Sequence, residues 1–352
     1  MPLDYRPLGR TGLSVSSIAL GTMTWGEQNT EAEGHAQLDR ALDFGINLID
    51  TAEGYSIPPR QETQGSTERI IGSWLRARGG RDRIVLASKV AGPSDRLWLR
   101  ADGQPPRLDA KNINEAIEGS LRRLGTDYLD LYQLHWPNRP LSLFGAAAHA
   151  PVNGGADTPE VPIEETLEAL DGLVKSGKVR HIGLSNETAW GLSRFLHLSE
   201  TRNLPRVASV QNAYNLLNRT YEEALAEFHA REDVGLLAYS PLAQGFLTGK
   251  YQRGARPAGT RVALFDRGAR YQKPGTEEAI DDYLAVARDF GLDPAQLAIA
   301  WVRSRPFVTA NIIGATSLDQ LEADLGSVDL AITPEIEARI DAIHQIRGNP
   351  AP

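Results

Sequence analysis

The sequence predicts a closed parallel α/β barrel of the (β/α)8 kind, and three observations carry that expectation. Eight short apolar, β-branched runs recur along the chain. Helix-period segments alternate with them. The 352 residues suffice for a barrel of about 250 residues with generous insertions. No internal repeat, heptad run or linker divides the chain, so residues 1–352 are read as one domain.

A Gly-containing segment at 8–15 precedes the first run and reads as a hairpin. The candidate strands are 17–20, 47–49, 84–87, 129–134, 179–184, 207–210, 235–238 and 311–313. Between them, residues 111–124 place Ile113, Ala116, Ile117, Leu121 and Leu124 on one helical face. Residues 163–174 put Ile163, Leu167, Leu170 and Val174 on another stripe. A further helix opens with Asp293 as N-cap and Pro294 in its first turn, and an extra helix over 335–345 ends the fold.

Four irregular insertions, 53–65, 90–108, 137–162 and 245–275, each follow a candidate strand and never a helix. Loops after strands lie on the C-terminal face of a barrel, where active sites are built. Long loops in compact domains are commonly functional, so the first three are expected to wall one pocket. The stretch 141–157, rich in Gly and Ala, reads equally as a surface excursion.

Composition narrows the function. A net charge of −8 offers no basic face for nucleic acid or an anionic membrane. The chain has no cysteine, which excludes disulfides and thiolate chemistry. Its start lacks a basic-then-apolar signal pattern and no apolar run reaches membrane length, so a cytoplasmic address is expected. The seven histidines are scattered, without His-x-His or His-Glu-x-x-His, so no metal site is expected.

Four polar residues fall at or just beyond the ends of three consecutive candidate strands: Asp50, then Tyr55 in its loop, Lys89 and His135. Alone, each has a bland reading as a cap, core residue, solvated lysine or structural histidine. Neighbouring strands lie ~4.8 Å apart, so together they converge on one barrel mouth and favour catalysis. The chemistry they suit is proton transfer to a carbonyl oxygen. A phenol is a poor acid at neutral pH unless a cation stabilises its phenolate. Lys89 supplies the cation, Asp50 holds it, and a neutral His135 orients the substrate oxygen. A Schiff-base role for Lys89 is the rival, but Asp50 keeps the amine charged and so unreactive. The set lacks a reductant, so a cofactor must bring the hydride.

No Gly-x-Gly-x-x-Gly follows a strand, which argues against a Rossmann site. Gly172 to Lys178 imitates a phosphate loop but precedes a strand and reads as helix termination. Gly245-Phe-Leu-Thr-Gly249-Lys250 follows a strand. It reads equally as a plain turn or as a pyrophosphate cradle.

At these residues the sequence resembles the aldo-keto reductase family over nearly its whole length. Four blocks appear in order: Gly45-Ile-Asn-Leu-Ile-Asp50-Thr-Ala-Glu-Gly-Tyr55, Ala87-Ser-Lys89, Ser120 to His135, and Gly177-Lys-Val-Arg-His-Ile-Gly-Leu-Ser-Asn186. The resemblance implies a TIM barrel and NADPH-dependent reduction of a small-molecule carbonyl. It makes Asp50, Tyr55, Lys89 and His135 the catalytic tetrad, with Tyr55 as general acid. It also implies that Ser185, Asn186 and Gln211 meet the nicotinamide carboxamide while Tyr239 stacks on the ring. Thr22 and Met23 would lie near the nicotinamide ribose. Ser240, Pro241, Leu242, Ala243, Gln244 and Gly245, with Lys250 and Arg261, would line the pyrophosphate and ribose. Gly314, Thr316, Gln320 and Asp324 would hold the adenosine 2′-phosphate end. Members commonly carry Glu-Asn where this chain has Ala323-Asp324, and often an arginine in place of Gln320. NADPH is therefore expected with a modest margin over NADH. Potassium-channel β subunits share the fold and tetrad, so a cofactor-sensing binding subunit is the alternative reading. Trp25, Trp98, Trp136 and Phe144 are expected to give the pocket an aromatic lining. The sequence sets neither the individual substrate nor the oligomeric state.

Overall fold

The computed structural model describes residues 3–146 and 159–352. A two-stranded antiparallel hairpin, β1 (Tyr5–Pro7) and β2 (Ser14–Ser16), comes first. Eight parallel strands follow: β3 (Ile18–Gly21), β4 (Leu48–Asp50), β5 (Val85–Val90), β6 (Leu129–Leu134), β7 (Val179–Ser185), β8 (Val207–Ala213), β9 (Gly235–Tyr239) and β10 (Val308–Ile313). Each pairs with its neighbour in sequence order. The barrel closes where β10 pairs with β3, Asn311 opposite Ile18. The (β/α)8 expectation holds, and the eight candidate strands match to within a few residues at their ends.

Side-chain alternation explains how the barrel is filled. Leu48, Val85, Ala87, Leu131, Ala208, Leu237, Ala310 and Ile312 form an interior cluster. Leu8 and Val15, from the hairpin, belong to the same cluster and stopper the barrel's floor. Gly9 is required there. It has φ +56°, and a Cβ on it would lie 2.5 Å from the Ala208 carbonyl oxygen. Continuing the period of two from Leu48, from Val85 and Ala87, and from Leu131 puts Asp50, Lys89 and Gln133 on the interior side. The apolar filling thus ends in a polar layer at the strands' C-terminal ends.

The opposite strand faces pack against the surrounding helices in a much larger apolar cluster. Ala110–Leu124 is capped by the Asp109 side chain, which accepts from the Asn112 amide. Pro294–Arg303 begins at Asp293 as its pattern requires, and Pro334–Arg347 is the closing helix. The helix Ile163–Lys175 ends at Ser176, so Gly172 to Lys178 is a helix terminus and not a phosphate loop. The insertion 245–275 departs from its irregular reading. It holds the short helix Arg261–Phe265 and several 3-10 turns. Five residues are too few for a helical period to register in sequence. Most of the 141–157 excursion lies outside the described residues. Among the described residues no helix is long and apolar enough to cross a membrane.

Candidate active site

The polar layer is tightly wired. Lys89 is fully buried, and its ammonium donates to Asp50 Oδ2 at 2.6 Å and to the Thr51 carbonyl at 2.8 Å. The other Asp50 oxygen accepts from Gln211 Nε2 at 2.8 Å and from Gln133 Nε2 at 3.2 Å. These donors fix the Asp50 carboxylate in one orientation facing the Lys89 ammonium. The Lys89 ammonium lies 5.0 Å from the centroid of the Tyr55 ring, and the His135 ring meets Tyr55 edge-on at 5.6 Å. The four residues expected to converge do so.

Burial works against the charge on Lys89, but Asp50 and then Tyr55 outweigh it and raise the pKa above the usual lysine value. For Tyr55 the balance differs from the sequence expectation. Burial raises the phenol above its ordinary value, and the nearby Lys89 opposes that without cancelling it. Tyr55 is therefore firmly protonated in the free protein, which is the state a proton donor must start from. Burial, followed by Lys89 and Arg96, pushes His135 well below the usual histidine value. The ring is neutral at physiological pH, and its buried Nδ1 has no partner among the described residues.

Elements that sequence reasoning passed over hold this group in place. Glu53, two residues before Tyr55, is buried. It accepts a two-pronged ion pair from Arg100 at 2.9 and 3.0 Å and a bond from the Ala91 amide at 2.8 Å. The loop carrying Tyr55 is thereby tied to the chain just beyond Lys89. Arg100 also donates to Asn112 at 2.7 Å. Nothing in the local pattern marks Arg100, because its partner is 47 residues away.

A cavity of about 1410 Å³ opens over this layer. Asp50, Tyr55 and His135 line it, while Lys89 stands behind them. Of the expected cofactor residues, Thr22, Met23, Ser185, Asn186, Gln211, Tyr239, Ser240, Pro241, Leu242, Gln244, Gly245, Lys250, Arg261, Gly314, Thr316, Gln320 and Asp324 all line it. Ala243 is fully buried and does not. Asn186 is anchored at both ends of its amide, accepting from the Tyr239 hydroxyl at 2.7 Å and donating to the His135 carbonyl at 2.8 Å. Of the four aromatic residues expected in the wall, Trp136 and Phe144 are present. Trp25 is buried in the core against Gln37, and Trp98 is exposed elsewhere. The first three insertions wall the pocket through Tyr55, Arg96 and Phe144, as expected. The fourth insertion adds a larger share, including Arg267 and Arg270.

The segment after β9 is conformationally strained. Ser240, Ala243 and Gln244 have φ of 57°, 49° and 59°, left-handed values that cost non-glycine residues of order 1 kcal/mol or more each. Lys250, Arg261 and Arg267 face the cavity without an ion pair among the described residues. Burial and then Arg261 lower the Lys250 pKa, and burial and then Arg267 lower that of Arg261. Asp324 is buried, which with Asp293 raises its carboxyl to about 7 against the pull of Lys250. The negative charge at this end of the cavity is thus reduced by partial protonation near neutral pH. Gln320 is not idle: its carbonyl accepts from the Thr316 amide and hydroxyl, each at 3.0 Å, and so fixes the turn before helix Leu318–Gly326.

Residues 17–345 match the Aldo/keto reductase family. The chain is 49% identical to Protein tas of Escherichia coli, covering 99% of this chain and 100% of that protein. It is 34% identical to the uncharacterized oxidoreductase YrpG of Bacillus subtilis over 99% and 98% of the two chains. It is also 31% identical to a probable voltage-gated potassium channel subunit beta of Oryza sativa, covering 97% of each.

Proposed function

The chain belongs to the aldo/keto reductase family and is an oxidoreductase enzyme, and from that premise we propose that it reduces the carbonyl of a small aldehyde or ketone with NADPH, using Tyr55 as general acid. The observation that carries this reading is the fully buried Lys89–Asp50 pair set against a protonated Tyr55 on the floor of a large cavity.

The residues present fit the cofactor. Three cations without an ion pair among the described residues, Lys250, Arg261 and Arg267, face the cavity, and strained backbone at Ser240–Gln244 runs beside them. Such an arrangement suits phosphate groups. Lys250 and Arg261 with the 240–245 backbone would hold the pyrophosphate. Thr316, Gln320 and the start of helix Leu318–Gly326 would hold the 2′-phosphate end, aided by the helix dipole. Tyr239 would underlie the nicotinamide ring, and Ser185, Asn186 and Gln211 would flank its carboxamide. Thr22 and Met23 would sit by the adjoining ribose. When bound, NADPH supplies the hydride that reduces the carbonyl carbon.

The protein's own groups manage the proton. Tyr55 donates it to the carbonyl oxygen. Lys89 stabilises the phenolate left behind, and Asp50, held by Gln133 and Gln211, keeps Lys89 charged and fixed. His135, neutral, donates a hydrogen bond that orients the substrate oxygen. We place this activity in the cytoplasm, with neither nucleic acid nor membrane as partner. Channel-subunit relatives at 31% identity stand further off than Protein tas at 49%, so turnover is favoured over a purely cofactor-sensing role. Steady-state assays with a panel of aldehydes and both nicotinamide cofactors test the proposal. NADPH-dependent turnover is expected, and its absence across the panel overturns it.

A further inference from the structure

Half-buried and buried arginines in this protein are commonly paired with acids. Arg100 is matched to Glu53, Arg123 to Glu68, Arg139 to Glu187 and Arg219 to Glu222 and Asp341. Arg96 breaks that pattern. It is half-buried and lines the cavity, yet among the described residues its guanidinium makes neither a hydrogen bond nor an ion pair. Among the described residues its guanidinium approaches the Trp136 ring, 5.8 Å from the centroid.

Its position is specific. A Cβ built on Gly54, the neighbour of Tyr55, would lie 3.8 Å from an Arg96 guanidinium nitrogen. Trp136 packs on His135 with centroids 4.9 Å apart. Arg96 is thus placed beside the neighbours of both the proton donor and the residue that orients the carbonyl. Arg267 lines the same cavity and, among the described residues, also makes no ion pair. Arg267 adds to the burial that lowers the Arg96 pKa, and Asp95, the nearest acid in sequence, opposes it without a hydrogen bond. A cation withdrawn from water and left unpaired costs free energy that an anionic ligand recovers.

Resting on the reductase reading, we propose that Arg96, supported by Arg267, is a substrate-specificity site that binds an anionic group, so that the preferred substrates are carbonyl compounds bearing a carboxylate. A guanidinium grips a carboxylate through two parallel bonds, which fixes its orientation as well as its distance. The carbonyl is then presented to Tyr55 and His135 while the carboxylate stays at Arg96.

The test compares 4-carboxybenzaldehyde with 4-methylbenzaldehyde on the full-length enzyme with NADPH, as kcat/KM and as equilibrium Kd. The wild type should favour the carboxylate. Arg96→Met should lower the carboxylate-to-methyl ratio by about 10–100-fold, mainly through KM, since a charge-assisted bond is lost. Arg96→Lys should restore part of the ratio, which a merely structural role would not do. A wild-type enzyme with no preference overturns the proposal. So does an Arg96→Met variant with an unaltered ratio, or one that weakens NADPH binding as much as carboxylate binding. Turnover of the methyl compound without carboxylate preference leaves the reductase reading standing and this proposal refuted. Absence of turnover with either compound counts against the reductase reading, and the ratio of Kd values then decides the anion site by itself.

Discussion

Two regions of one cavity handle charge in opposite ways. At the strand ends, Lys89, Asp50, Gln133 and Gln211 satisfy one another through bonds of 2.6–3.2 Å. Along the wall built from residues 240–275, Lys250, Arg261 and Arg267 make no ion pair among the described residues and stand beside left-handed non-glycine backbone. The first region is complete before any ligand arrives, as a catalytic group that must not reorganise should be. The second is left incomplete, and on the proposed reading its unmet charge drives cofactor binding. Preorganisation and affinity are thus built from the same residue types by supplying or withholding partners.

The comparison is broken most severely at the complete region. Lys89→Met should lower carbonyl turnover by about 10²–10⁴-fold, because the phenolate loses its cation. It should also destabilise the fold by about 3–5 kcal/mol, since Asp50 is left buried without its counter-charge. Steady-state kinetics and urea unfolding check both effects. Adding Asp50→Asn should recover part of the stability and none of the rate.

At the incomplete region the expected effect falls on binding. Arg261→Met should weaken NADPH binding by about 10-fold or more while the fold keeps its stability, because no ion-pair partner among the described residues is abandoned. Titration calorimetry at low and high salt checks this. The loss should shrink as salt rises, as for any partly exposed charge pair.

A smaller effect concerns Asp324. Its carboxyl is raised from 3.8 to about 7, so ionisation is disfavoured in the folded protein. The associated stability is fully present below the unfolded value near 3.8 and is lost as pH rises through about 7. Over the same window a negative charge develops beside Lys250, so NADPH affinity should fall. Asp324→Asn should flatten both profiles, measured by thermal melts and by Kd between pH 5 and 9. A wild-type profile already flat would contradict the assignment. The smallest change is expected from Gln320→Arg, which should widen the NADPH-over-NADH margin by a few-fold. The Gln320 bonds to Thr316 will be lost, which limits the gain.

Much of this was legible in the sequence because it is local. Short apolar, β-branched runs located all eight strands, and Asp50 and Lys89 followed from their places just beyond the ends of two of them. His135 followed from its place just beyond Leu134. What escaped notice depends on long-range pairing or very short elements. Glu53 and Arg100 are separated by 47 residues, and helix Arg261–Phe265 is shorter than one detectable period. Trp25 and Trp98 were misplaced because an aromatic residue near a strand end suits a pocket wall and a core equally well. The sign of the Tyr55 shift also required burial, which no sequence pattern reports. The presence of Lys89 alone suggests a lowered pKa, and desolvation reverses it.

The central claim is that Tyr55 is the proton donor in an otherwise self-sufficient site, and one comparison tests it directly. Wild type and Tyr55→Phe would each be loaded with NADPH, mixed with saturating aldehyde, and followed through the loss of reduced-nicotinamide absorbance. Cofactor Kd would be measured alongside. The account predicts turnover reduced by about 10²–10⁴-fold in the Phe protein, with cofactor Kd close to that of the wild type. Near-normal turnover by Tyr55→Phe would contradict it.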